Sequence, residues 1–311
     1  MPHRSIIDAT LNQRSLELIR EIGIPAMPAA VLEAWREMNA AEADFNRISR
    51  AVSRDPSLAA KVLLVANSSF YGRTMANVSI HQALVRLGIR GFHRHIIIAA
   101  LRDAFRDEQE GSFATFRRIW SHLVLTARLA ELVTLRLKEP VTPEHAYIAG
   151  LFHDGGIVIL EKKFPGHLQA FAQQATDQAG QADMLAFDRK HLQTDHAQIG
   201  ELMARSWLLP EEICLGIGHH HDLDFSRLEN RNAVMLARIL QLADRLASHV
   251  ARLHNHEPLE FFQDDVGDST AMAWATPLLE QHPWNRLHLS DLQEICAAVM
   301  AEFDPEKVDE I

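Results

Sequence analysis

Apolar residues recur at helical spacing along most of the chain, and no run shows the two-residue alternation of a half-buried strand. Residues 5–22 carry Ile7, Leu11, Leu16, Leu18, Ile19 and Ile22, and Gly23 and Pro25 then stop the helix. Pro28 suits the first turn of the next helix, which runs through Val31, Leu32, Trp35 and Met38. Phe45, Ile48 and Val52 make a short stripe. Asp55-Pro56 opens another helix, with Leu58, Val62, Leu63 and Val65 facing inward, and residues 67–72 predict a polar turn presenting Phe70 and Tyr71. Ser79 and Gln82 stand at capping-box spacing. The helix they open is expected to end at Gly88, with a strongly apolar one beginning at Gly91 and continuing through Ala104.

A charged segment at 106–111 is the best internal boundary. After it the pattern predicts a long helix over 113–138, then Thr142-Pro143 as cap and first turn of a helix reaching His153. Gly155-Gly156 and Gly166 read as turns. Helices are expected over 196–207, 210–219 and 230–254, an irregular polar stretch over 255–268, and a last helix capped within 290–293. No heptad run or repeat period appears. The fold class read from this is all-α, a compact two-lobed helical bundle.

The 47% hydrophobic and 23% charged content is globular. A net charge of −10 argues against nucleic acid as a partner, since a basic surface would be needed. The amino-terminal segment has no apolar core of signal-peptide length, and the stretch from Ile96 to Leu101 is too short to cross a bilayer. No membrane association and a cytoplasmic location are expected. With only Cys214 and Cys296 available, neither a disulfide framework nor a cysteine zinc site is expected. The 18 histidines change the picture more, because imidazole both binds transition metals and titrates near neutral pH.

Possible ligands are spread over successive helices: His122, His153-Asp154, His196, the run His219-His220-His221, and Asp244. Imidazoles and carboxylates converging on one point suit a divalent transition metal, Fe, Mn, Zn or Ni, which would acidify water for phosphoester hydrolysis. An ordinary structural role is also open to each: His122 lies among Ile119, Leu123 and Leu125, Asp244 has Arg245 and Arg238 nearby, and the histidine run sits where a helix dipole favours positive charge.

The order histidine, His-Asp doublet, distant aspartate resembles the HD phosphohydrolases. His122 in IWSHLVLTARLAELV, the doublet in AGLFHDGG and Asp244 in ILQLADRLA match the helical contexts of that superfamily. The segments IPAMPAAVLEAWREMN, SRDPSLAAKVLLVANSSFYG, SIHQALVRLGIRGFHRHIIIAALRDAF and LPEEICLGIGHHHD resemble the HDOD domains, an HD-related output family. The resemblance implies an HDOD domain at 22–225, flanked by the amino-terminal helix at 1–21 and by a carboxy-terminal helical extension at 226–311 expected to pack on the HD core. It also implies a non-catalytic signalling module that binds a protein partner or a small ligand.

A metal-dependent phosphohydrolase acting on a nucleotide-type ligand is the alternative. The core set His122, His153, Asp154 and Asp244 is intact, and compared with HD-GYP phosphodiesterases, His196 with one or two of His219, His220 and His221 extends it. Against that reading, Ile157 stands where HD-GYP proteins have a lysine, Arg118 replaces a glutamate one turn before the first histidine, and Asp222 to Phe225 replaces the GYP segment. Arg118 would repel a cation, unless it turns outward to bind phosphate.

Overall fold

The computed structural model describes residues 13–38, 40, 42–67, 79–106, 113–137, 140–177, 183–253, 272, 275, 279–280 and 284–302. Among these there are fourteen α-helices and no strand, so the helical periodicity was the correct signal. The described residues divide into two compact units, 25–106 and the remainder, with the breaks after Ile24 and Arg106. The second break falls at the charged segment singled out above. The span 22–225 read from the motifs runs across both units.

Helix α1 (Gln13–Ile22) precedes the smaller unit, whose helices are α2 (Ala29–Met38), α3 (Phe45–Ser53), α4 (Pro56–Ala66) and α5 (Ile80–Phe105). Asp44 caps α3 through Asn46 and Arg47, Asp55 caps α4 with Pro56 in its first turn, and Ser79 with Gln82 forms the full capping box of α5. The break expected between Gly88 and Gly91 is a kink at Gly88 alone, where φ of 68° needs a residue without a Cβ. Gly91 lies within the continuing helix. Val31, Ile48, Val52, Val62, Leu84, Phe92 and Ile96 are buried in its core. The turn predicted at 67–72 lies, beyond Asn67, outside the described residues.

The larger unit holds α1 (Gln13–Ile22), α6 (Phe113–Leu137), α7 (Pro143–Phe152), α8 (Gly155–Lys163), α9 (His167–Asp177), α10 (Met184–Leu192), α11 (His196–Ser206), α12 (Glu211–Gly218), α13 (Arg231–Leu253) and α14 (Leu289–Glu302), with a 3₁₀ turn at Trp284–Arg286. Helix α6 is central: it packs on α7, α13 and α14, and buries Trp120, Leu123, Leu129 and Val133. Helix α1 packs on α8 and α11, and α14 on α6 and α13, so the first and last described helices belong to this unit. Arg136 ties α6 to α14 through Asp291 and Glu294, and Arg128 does so through Glu302.

Two sequence expectations shift here. Gly155-Gly156 does not form a turn but starts α8, and Gly156 is small because α11 presses on it: a Cβ there would lie 2.7 Å from the His196 carbonyl carbon. The last helix begins at Leu289, one residue before the expected cap, and Asp291 instead accepts from the His288 amide. The helix expected to continue to 254 is described to Leu253, and the stretch 255–268 lies outside the described residues.

Candidate metal centre

Close packing of small residues sets the site. Gly150 of α7 meets α6 so tightly that a Cβ would lie 2.6 Å from Ala127 Cα. That contact brings the end of α7, carrying His153 and Asp154, alongside His122 on α6. Gly156 does the same for α8 and α11, delivering His196, and Gly200 lets α11 lie against the end of α7 and against Ile217 of α12. Helices α12 and α13 close the arrangement with His220, His221 and Asp244.

Two four-residue groups result, each offering one donor atom per residue with all four atoms within 4.8 Å: His122, His153, Asp154 and Asp244, and Asp154, His196, His220 and His221. Asp154 belongs to both. Its Oδ2 lies 3.1 Å from His153 Nε2 and 3.7 Å from His122 Nε2, while its Oδ1 lies 3.3 Å from His220 Nε2 and 3.7 Å from His196 Nε2. Asp244 Oδ1 completes the first group 3.0 Å from His122 Nε2, and His221 Nε2 the second 2.9 Å from His196 Nε2.

The ring nitrogens are oriented from behind. His153 Nδ1 donates to the Gly150 carbonyl at 2.8 Å, His220 Nδ1 to the Ile217 carbonyl at 2.6 Å, and His196 Nδ1 to Asp188 at 2.7 Å. A carbonyl or carboxylate can only accept, so in each neutral ring the Nε2 lone pair faces the site. Holding a histidine by its other nitrogen in this way is how metal ligands are oriented.

Four of the inward atoms, His153 Nε2, Asp154 Oδ1, His220 Nε2 and Asp244 Oδ1, are buried without a hydrogen-bond partner. Each orphan of this kind costs about 1–3 kcal/mol, and one cation per group satisfies them all. The donor set, nitrogen and oxygen without thiolate, fits a divalent transition metal.

Electrostatics agree. Burial disfavours a charged His153, but the Asp154 and Asp244 carboxylates outweigh it and raise its pKa to about 9. Burial would likewise raise Asp154, yet His153, His220 and His196 hold it well below the usual carboxylate range. His196 is raised against its burial, chiefly by Asp188 and then Asp154. Without an ion the carboxylates draw protons onto these rings, and metal ions compete for the same positions.

Of the residues singled out in sequence, the structure thus brings together His122, His153, Asp154, His196, His220, His221 and Asp244. It does not bring His219. That ring points elsewhere, its Nδ1 2.7 Å from Asp222 Oδ2, and His221 takes the place expected of it. Past the end of α12 the backbone leaves helical geometry, so helical spacing does not tell which of three adjacent rings turn inward. Arg118 is exposed on α6 and is not among the residues lining the adjacent cavity.

Sequence reasoning missed Asp188, on a helix it passed over between Gly166 and His196. The signal was present: Asp183 caps α10, and Met184, Leu185 and Phe187 form its apolar face. His167 donates through Nε2 to Asp188 at 2.7 Å.

A cavity of about 660 Å³ opens beside the donors. His220, His221 and Asp244 lie on its wall, with Arg189, Arg238 and Arg245 supplying cations, and Trp284 an aromatic surface. No described helix is long and apolar enough to cross a membrane.

Among solved structures, the chain is similar to an HDOD domain protein of unknown function from Geobacter sulfurreducens, at 25% identity and a TM-score of 0.67, covering 96% of this chain and 98% of that one. It is similar in fold to a protein from Shewanella amazonensis SB2B named as a candidate phosphohydrolase, at 22% identity and a TM-score of 0.64, covering 96% and 98%. A protein of Treponema pallidum (strain Nichols) is 24% identical over 200 residues, which are 64% of this chain but 38% of that relative's length. The HDOD domain family model matches residues 24–223, close to the span read from the motifs, and the chain belongs to the HDOD family.

Proposed function

We propose that this HDOD protein is a metal-dependent phosphohydrolase, holding two divalent transition-metal ions and acting on a small nucleotide-type phosphoester. The observation that carries the reading is Asp154, a buried carboxylate turning one oxygen toward each of two complete donor groups. When bound, such ions supply charge to stabilise a phosphoryl group and acidify water. The chain's own residues do the rest. Arg238 and Arg245 on α13, with Arg189 on α10, face the cavity where a phosphate oxygen would be presented, and guanidinium suits that geometry. Trp284 offers a nucleobase a surface for stacking, and a volume of about 660 Å³ is of ligand size.

One observation favours the signalling reading reached from sequence, in which the module acts through a protein partner. Ile157, at the position of the HD-GYP lysine, is buried at 2% exposure, so that position supplies no cation for a phosphate. The two readings separate by experiment. Elemental analysis of protein purified without a histidine tag, followed by turnover of an aryl phosphate with Mn²⁺, is expected to show bound metal and activity. Asp154→Ala should remove both, with turnover falling more than about 100-fold. Metal without turnover would leave the signalling module standing, and a metal-free, inactive protein would end the hydrolase reading.

A further inference from the structure

We infer that Asp188 is a positioning residue that makes the second donor group able to hold its ion. The inference rests on the metal-centre reading above, but not on the hydrolytic one.

The two groups are unequal in charge. The first contains Asp154 and Asp244, whereas the second has three imidazoles and only the shared Asp154. A cation there would lack the negative charge that its neighbour enjoys. Asp188 supplies it from behind. The side chain is fully buried, and its Oδ2 accepts from both the ring Nδ1 of His196 at 2.7 Å and the backbone amide of His196 at 3.0 Å. Its Oδ1 accepts from His167 Nε2 at 2.7 Å. Three donors therefore fix both oxygens.

His153 and His220 are backed by neutral carbonyls, while His196 is the donor backed by a full negative charge. A carboxylate behind an imidazole raises the basicity of the far nitrogen as well as setting its direction. The backbone contact adds a second hold, because Asp188 seizes the first residue of α11 itself. The next residue on α10, Arg189, reaches Asp195 Oδ2 at 2.7 Å, and Asp195 caps α11 through the Gln198 amide. Two adjacent residues of α10 thus grip the two residues that start α11.

The test is metal stoichiometry in Asp188→Asn, which keeps the shape and removes the charge. The full chain is titrated with Mn²⁺ and followed by elemental analysis and electron paramagnetic resonance. Wild type is expected to load both groups and show exchange coupling between neighbouring ions. In the variant the second ion should bind about 10–100-fold more weakly, and the coupled spectrum should give way to that of isolated Mn²⁺. Two ions held within about threefold of the wild-type affinities would overturn the inference, as would a wild type that never loads a second ion. Should Asp188→Asn not fold, His167→Phe removes the Oδ1 donor while keeping a ring. It should selectively weaken the second ion about 3–10-fold, below the loss expected for the direct partner, and equal weakening of both ions would refute a positioning role. Turnover enters none of these readouts, so a metal-loaded but inactive protein would sink the hydrolase proposal alone.

Discussion

Adding one methyl group at Gly156 should cost the protein both stability and one of its ions. The structure leaves no room: the new Cβ would stand 2.7 Å from the carbonyl carbon and 2.9 Å from the Cα of His196, with the carbonyl oxygen nearer still. Those atoms are backbone, so no rotamer change relieves the clash, and α11 must separate from α8. Overpacking of a core costs about 1–3 kcal/mol, and an obstacle made of backbone puts Gly156→Ala near the upper end. In a unit of about 200 residues each kcal/mol moves the midpoint by about 2–4 °C, so a loss of about 3 kcal/mol lowers Tm by about 6–12 °C. The residue displaced is itself a donor, so the second ion should also bind at least about 10-fold more weakly. Thermal melts with chelator and with Mn²⁺, beside a metal titration, measure both effects. Gly91→Ala is the control, because its Cβ would make ordinary contact with Leu87 Cβ at 3.6 Å, and a mid-helix Gly→Ala change should stabilise by about 0.5–1 kcal/mol. If Gly156→Ala melts within about 2 °C of wild type and still binds both ions, the packing argument for the site is wrong.

With metal removed, His153 holds a proton more tightly folded than unfolded, about 9 against 6.5, so its stabilisation is complete below pH 6.5 and drains away as pH rises through 9. Melting in chelator should fall across that window in wild type and flatten in His153→Gln, and a wild-type curve without that fall would contradict the charge assignment. Burial pushes the thiols of Cys214 and Cys296 up to about 12, so a disulfide reagent at pH 8 should label neither in the native protein and both after denaturation; rapid native labelling would show the core open. Asp195→Ala removes the α11 cap on Gln198 and the partner of Arg189, and should destabilise by about 1–2 kcal/mol in a urea titration. An unchanged midpoint would show that the grip of α10 on α11 carries no load.

The helices were legible because their punctuation is local. Asp55, Ser79 and Thr142 each satisfy an amide three residues away, so the caps were visible without knowing anything distant. Errors came where a distant neighbour decided the outcome. Gly155-Gly156 reads as a turn until α11 is seen against it, and Gly91 reads as a break until its helix is seen to continue. The metal donors divide the same way. His122, His153, Asp154 and Asp244 stood out through their order and helical contexts, whereas three adjacent histidines gave no sign of which rings turn inward.

By itself the sequence determined that this chain is helical, where most of its helices begin, to which family it belongs, and which residue types are able to hold a metal. Those properties depend on side chains and backbone within a few residues, or on motifs that survive as strings. Only the tertiary structure decided that Asp154 faces two groups at once, that His221 rather than His219 joins them, and that Asp188 stands behind His196. Each is a matter of direction as well as proximity, and a ring or carboxylate acquires a direction only when helices far apart in the chain pack at the distances their glycines permit.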